Sequence, residues 1–246
     1  MEKLLEIKNL TKTYYEGAAE SRVVDNVSME VDKGEFVVIM GASGSGKTSL
    51  LHLLAGIDDF NEGTVKYFIC PKGNDFGRMS EKAKTIFRRT NIGIVFQQQC
   101  LIPDLTVYEN IMLPMMLTHQ PKKDTVFNLC SQFGLKEHMG KYPSRLSGGQ
   151  QQRAAILRSV VNKPPLLLCD EPTGSLNSAQ TEIVMDLLNE LNQNGQTIIL
   201  VTHDRRVAVR GERMVYIEDG HIEGELKFTG TDREHELMDF LGKRGW

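Results

Sequence analysis

Uninterrupted apolar runs and stretches of helical periodicity alternate along this chain. Residues 4–8 and 23–31 are predicted to form short strands around a polar loop, Glu16 to Arg22, that holds Gly17 and three charges. Phe36–Met40 is an unbroken apolar run bounded by glycines, the pattern of a strand buried on both faces. Ser49 to Ile57 follows with Leu50, Leu51, Leu53 and Leu54 at helical spacing. Ile92–Phe96 predicts another strand, and residues 104–162 show helical periodicity broken by Pro114, Pro121 and Pro143. Leu166–Cys169 and Thr197–Val201 are further apolar strands. Between them, Ser178 to Asn194 carries Ile183, Val184, Leu187, Leu188 and Leu191 on one face of a helix ended by Gly195. The tail, 231–246, predicts a short amphipathic helix with Leu237, Phe240 and Leu241 on one side. Strands alternating with helices imply an α/β fold, a mostly parallel sheet covered on both faces, with the stretch near 100–162 as an inserted helical subdomain. No repeat or linker divides the chain, so one continuous domain is expected.

Composition narrows the classes. The 246 residues carry 29 Lys+Arg and 32 Asp+Glu, a net charge of −3, which excludes a nucleic-acid binder held by bulk positive charge. Apolar residues at 40% and charged residues at 25% fit a folded globule rather than a disordered chain. No apolar run approaches the ~18 residues of a membrane helix. The opening MEKLLEIKNL is acidic and lacks a long apolar core, so no secretory signal is expected. Cys70, Cys100, Cys130 and Cys169 form no CxxC pair, which argues against a zinc site or a disulfide scaffold and for a reducing cytosol.

The strongest chemical signal is Gly41-Ala42-Ser43-Gly44-Ser45-Gly46-Lys47-Thr48, which fits G-x-x-x-x-G-K-[ST] between a predicted strand and a predicted helix that includes Ser49. Glycines let backbone N–H groups converge on phosphate oxygens, and the helix N-terminus adds a positive dipole end. Lys47 is expected to reach the outer phosphates and the Thr48 hydroxyl to ligate Mg²⁺. A second signal is the apolar strand that ends in Asp170-Glu171. Alone, such a pair is usually a solvated strand end. Beside a phosphate loop, Asp170 is expected on Mg²⁺ and Glu171 on an attacking water.

A third motif, Leu146-Ser147-Gly148-Gly149-Gln150, precedes a helix predicted over Gln151–Val161. Ser147 can cap that helix, and Gly148 and Gly149 would leave its N–H groups open to an anion. A second phosphate site on one chain makes sense if each subunit completes the other's nucleotide. The alternative is an ordinary capped helix.

With these three motifs, nearly the whole chain resembles the nucleotide-binding subunit of ATP-binding cassette (ABC) transporters. The resemblance implies an ABC-type P-loop NTPase fold: a core and an antiparallel β subdomain over about 1–98 and 163–230, a helical subdomain over about 99–162 and a helical tail over 231–246. It implies ATP and Mg²⁺ as ligands. Tyr14 in LTKTYYEG matches the aromatic that stacks on adenine, with Tyr15 as the other candidate. Gln97 in IGIVFQQQ matches the glutamine that contacts Mg²⁺ and the attacking water, and His203 in ILVTHD matches the switch histidine at the γ-phosphate. Catalysis is thereby assigned to Glu171, His203, Gln97 and Lys47; Mg²⁺ to Thr48, Gln97 and Asp170; ATP in trans to Ser147–Gln150. Ser175-Leu176-Asn177 has Asn where the family usually has Asp. GASGSGKT, YPSRLSGGQQQRAA and DEPTGSL point to the subgroup of lipoprotein-release, macrolide-export and bacitracin-resistance ATPases.

The implied partners are a second copy of the chain and an integral-membrane permease seated on about residues 98–119, where Leu101, Leu105, Ile111, Met112 and Met116 are either exposed or core. Nucleic acid and direct membrane insertion are not expected, and the implied place is the inner face of the cell membrane. Two other roles stay open. One is an ATPase that drives an extracytoplasmic partner without transport. The other is a soluble ATPase on nucleic acid or ribosomes, for which the chain lacks a coiled-coil insert and a second cassette.

Overall fold

The computed structural model describes residues 2–17, 19–69 and 73–243, so Cys70 and the last three residues of the tail lie outside the described residues. The chain forms two compact units, Met1–Lys84 with Thr197–Trp246, and Thr85–Gln196. The boundaries expected near 98 and 163 fall inside the second unit.

The first stretch runs β1 (Lys3–Glu16), β2 (Ala19–Asp32), β3 (Phe36–Met40), α1 (Lys47–Ala55), β4 (Glu62–Tyr67), β5 (Asn74–Asp75) and α2 (Glu81–Asn91). The second unit continues with β6 (Ile92–Val95), α3 (Val107–Leu117), α4 (Lys123–Gln132), α5 (Gly148–Val160), β7 (Leu166–Asp170) and α6 (Ser178–Gln193). The chain then returns as β8 (Thr197–Thr202), α7 (Arg205–Ala208), β9 (Arg213–Glu218), β10 (His221–Lys227) and α8 (Arg233–Gly242).

In the first unit, β3 pairs in parallel with β8 on one side and β9 on the other. Every residue of β3 and β8 is buried, which is why both read as unbroken apolar runs rather than alternations. The register places Met40 opposite Thr202, so the segments after both strands leave the same edge. A separate antiparallel sheet has the order β2-β1-β4-β5. In the second unit β6 and β7 are parallel, with Val95 opposite Cys169, so residues 96–97 and 170–171 also leave one edge together.

The segment Glu16–Arg22, expected as a loop, is mostly strand. Tyr14 pairs with Ser21, Tyr15 with Glu20 and Glu16 with Ala19. Polar side chains hide this ribbon because backbone pairing holds it and no buried face imposes an apolar pattern. The break expected at Pro114 is absent: α3 runs through it. A Thr106–Glu109 capping box starts that helix, and the buried Asn110 side chain donates to the Ile102, Leu105 and Thr106 carbonyls, so the lost proline N–H is offset by an anchored first half. The β9–β10 hairpin adds two strands to those expected, and its turn, Asp219-Gly220, with φ of 44° and 82°, is a strong two-residue turn signal. The tail helix is α8, which buries Leu237 and Leu241. Cys100, Cys130 and Cys169 are free thiols, and burial pushes Cys130 up to about 11.

Arg213 ties three strands and a turn. Its guanidinium donates to both Glu35 oxygens (2.6 and 3.1 Å), to Glu225 Oε2 (2.8 Å) and to the Glu30 carbonyl (2.6 Å), with the side chain only 14% exposed. Removing it strands two carboxylates. Arg213→Ala is expected to cost about 2 kcal/mol and lower Tm by about 4–8 °C in a thermal scan, with Arg213→Lys recovering only part because the fork is lost.

Candidate nucleotide site

The loop after β3 is shaped by close approaches. A Cβ on Gly41 would lie 2.0 Å from the Ile217 carbonyl oxygen and 2.7 Å from Ser45 Oγ. At Gly46, φ is +94° and a Cβ would meet the Val23 carbonyl oxygen at 2.0 Å. Both positions therefore need glycine, one for space and one for space and backbone angle. Gly46 also N-caps α1 without a side-chain cap, which leaves the dipole end of the helix to an external anion. Lys47 is buried at 5% exposure, and its Nζ donates to the Ala42 carbonyl (2.6 Å) and Ser45 Oγ (3.2 Å). The ammonium is thus held within the turn of the loop. Thr48 is exposed and Ser49 half-buried in the first turn of α1. His203, exposed, follows β8 on the sheet edge that the loop leaves from. Its neighbour Asp204 caps α7, and the Arg206 hydrogen bond holds that carboxyl below its usual value.

Tyr14 and Tyr15 lie on opposite faces of β1. Tyr14 donates its hydroxyl to Asp58 Oδ2 at 2.6 Å, and Lys12 Nζ sits 4.6 Å from its ring centre while bridging Asp58 and the Asp59 carbonyl. The Asp58 hydrogen bond holds the phenol above its usual pKa. Tyr15 is 66% exposed. The structure therefore fixes one ring and leaves the other in solvent.

In the second unit, Gln97 and Glu171 converge. A Cβ on Gly174 would lie 3.3 Å from both Gln97 Nε2 and Glu171 Oε2. Glu171 is half-buried with φ of +40°, a left-handed angle that costs a non-glycine residue about 1–2 kcal/mol. The Gly174 N–H donates to the Glu171 carbonyl at 3.1 Å and closes the turn that holds it there. Asp170, the last residue of β7, is buried at 7% exposure.

Ser147 and Gln150 form a reciprocal capping box: Ser147 Oγ accepts from the Gln150 N–H (3.3 Å) and Gln150 Oε1 from the Ser147 N–H (2.9 Å). The helix starts at Gly148, three residues before its expected position. Gly148 is exposed, whereas Gly149 is buried against Gln180, whose Cγ would lie 3.1 Å from a Cβ there. Gly148 thus lies open at the start of the helix, and Gly149 lets α6 approach α5. Asn177 Oδ1 accepts from the Gln180 N–H at 3.0 Å, a helix cap that Asn serves as well as Asp. Sequence reasoning missed two partners here: Gly174, under Gln97 and Glu171, and His138, whose Nε2 lies 3.0 Å from Gln150 Nε2. No pattern in the sequence marks either.

A groove of about 360 Å³ crosses the same unit, with Ile92, Ile94, Pro114 and Leu117 among its apolar lining and Arg88, Arg89 and Arg158 as its charges. No carboxylate lines it. Arg158 donates to the Cys100 and Gln99 carbonyls and so ties the segment after Gln97 to α5. Ile111 and Met112 are buried, while Ile102, Met116 and Leu117 are exposed. The apolar segment thus divides between core and surface. Among the described residues, no helix is long and apolar enough to cross a membrane.

Residues 24–174 match the family model for the ABC transporter. An uncharacterized ABC transporter ATP-binding protein of Methanocaldococcus jannaschii, MJ0796, is 41% identical over 93% of this chain and 99% of its own. The bacitracin export ATP-binding protein BceA of Halalkalibacterium halodurans is 37% identical over 98% of this chain and 96% of its own. The lipoprotein-releasing system ATP-binding protein LolD of Aquifex aeolicus is 42% identical over 83% and 91%. Among solved structures, the MJ0796 cassette dimer in a post-hydrolysis state with ADP and Pi superposes with a TM-score of 0.84 at 38% identity, covering 92% of this chain and 100% of that one. The motifs, the α/β architecture and these relatives agree: the chain belongs to the ABC transporter family and is one of its ATP-hydrolysing cassettes.

Proposed function

We propose that this cassette pairs head-to-tail with a second copy around two ATP molecules and drives an integral-membrane permease from the inner face of the membrane. The observation that supports the permease is the exposure of Ile102, Met116 and Leu117 on the apolar segment after Gln97. Exposed apolar side chains cost free energy unless a partner covers them, which supports a partner helix seated on this segment. The bacitracin export and lipoprotein-releasing relatives support a cargo that is a peptide antibiotic, a lipoprotein or a macrolide-like substrate.

Within that proposal, Gly41–Ser49 binds the ATP phosphates and Tyr14 stacks on adenine. Ser147–Gln150 contacts the nucleotide held by the other copy. Lys47 neutralises charge that develops on the transferred phosphoryl group, and His203 contacts the γ-phosphate. Glu171 accepts hydrogen from the attacking water, which Gln97 helps to place. Among the described residues no cluster of three His, Cys, Asp or Glu side chains could hold a metal alone. The resemblance to the family assigns Mg²⁺ to the oxygen donors of Thr48, Gln97 and Asp170, the hard ligand type this ion takes, with phosphates and water completing its shell. Bound there, it would neutralise phosphate charge.

The test is a pull-down of the tagged chain from detergent-solubilised native membranes. A co-purifying permease with a large extracytoplasmic domain is expected, and vesicle accumulation assays would then separate transport from signalling. A ribosomal or DNA-repair partner with no membrane protein would leave the ATPase standing and overturn the permease.

A further inference from the structure

Gln150 has one carboxamide and two neighbours. Its Oε1 accepts from the Ser147 N–H at 2.9 Å, and its Nε2 lies 3.0 Å from His138 Nε2. We propose that His138 is a positioning residue for the Ser147–Gln150 turn, holding the Gln150 carboxamide so that its oxygen stays on the Ser147 amide. The proposal rests on the assignment of that turn as the contact to the other copy's ATP.

The orientation of the amide dictates what His138 has to be. With Oε1 on Ser147, the amide presents N–H to the ring, so Nε2 accepts and the ring is neutral. A neutral ring has one acceptor nitrogen, and a second donor competes for it: Lys141 Nζ lies 2.9 Å from Nδ1. Lys141 is exposed and turns to water at little cost, whereas Gln150 is fixed by the cap, so the acceptor goes to Gln150. A protonated ring carries N–H on both nitrogens. The carboxamide then relieves a donor–donor contact only by turning its oxygen to His138, which strips the Ser147 N–H of its acceptor and opens the capping box. The surroundings favour the neutral ring. Burial acts first, then the charges of Lys141 in the following loop and Arg153 on α5, against Glu137 beside it. The sign follows: the contact is complete above the ordinary imidazole value of 6.5 and is lost as the pH falls through the ring's own, lower value.

The experiment follows ATP-induced dimerisation of the Glu171→Gln protein by light scattering at about pH 8 and about pH 5.5, a span that covers histidine titration. Binding of a fluorescent ATP analogue to the monomer runs in parallel. With His138 in place, the ATP concentration for half-dimerisation is expected to rise at the lower pH, up to about fivefold for one fully lost cap, while monomer binding stays level. His138→Gln keeps a neutral acceptor at every pH and is expected to flatten the dependence. His138→Ala is expected to sit at the weakened value at both pH values. If that variant does not fold, His138→Gln alone decides. A His138→Gln profile identical to that of the parent overturns the proposal, provided Gln150→Ala impairs dimerisation. If Gln150→Ala dimerises like the parent, the assignment of the turn itself fails and takes the proposal with it.

Discussion

Glu171→Gln is expected to bind ATP like the wild type and to hydrolyse it about 100- to 10,000-fold more slowly, the usual worth of a positioned general base. The amide is isosteric with the carboxylate and can still hydrogen-bond a water, but it cannot take a proton at neutral pH. The backbone at Glu171 strengthens the expectation. A φ of +40° on a non-glycine residue is held by the Gly174 N–H bond, and Gly174's missing Cβ leaves room beside Gln97 Nε2 and Glu171 Oε2. A fold does not hold a glutamate at that angle cheaply, and catalytic placement is one reason for such strain. Single-turnover hydrolysis and equilibrium binding of a fluorescent ATP analogue separate the two quantities. Near-normal turnover would remove Glu171 from the role of base. Gly174→Ala should act in the same direction more weakly, since its Cβ would press both side chains apart.

The second large effect belongs to Gly46→Ala. Its Cβ would lie 2.0 Å from the Val23 carbonyl oxygen at a backbone angle of +94°, so the loop has to move away from β2. The left-handed angle alone costs alanine about 1–2 kcal/mol, and relief of a backbone clash brings the total to about 3 kcal/mol or more. That corresponds to a Tm lowered by about 6–12 °C. ATP affinity should fall about 100-fold, because the N-terminus of α1 and Lys47, the proposed phosphate ligands, both hang from this residue and a displacement of positioned groups by about 1 Å is already costly. Gly34→Ala is the control: its φ is +78° with nothing within 4 Å of a Cβ, so it isolates the strain. Wild-type ATP affinity in Gly46→Ala would show that the close approach to β2 does not shape the loop.

The parts of the fold legible in the sequence are those where one local rule decides. Phe36–Met40, Leu166–Asp170 and Thr197–Thr202 are buried on both faces, so apolarity alone marks them. The helix over Ser178–Gln193 has both a stripe and a cap. The ribbon of β1 and β2 is held by backbone pairing, and its outer end reads as loop because neither face is buried there. Pro114 misleads because Asn110 and the Thr106 cap anchor the helix from outside its own hydrogen-bond ladder. The site divides in the same way. Gly41–Thr48 is a contiguous motif whose required geometry is local. The nearness of Gln97 to Glu171 depends on parallel pairing of β6 with β7, and that of His138 to Gln150 on a loop fold, so neither pairing is written in any short stretch of residues.

The Asp219-Gly220 turn has a consequence for how this chain can be altered. Two-residue hairpin tips are ordinarily where tags, insertions and new termini are accepted. Here the Gly220 N–H donates to the Ser45 carbonyl at 3.1 Å, and the Gly220 carbonyl accepts from the Asp25 N–H at 2.9 Å. The tip is wedged between the Gly41–Thr48 loop and the β2 strand. Circular permutation or an epitope inserted at this point would be felt at the Gly41–Thr48 loop, while the Glu16–Ala19 end of the long ribbon, whose paired backbone stands apart from that wedge, is the better place to graft one.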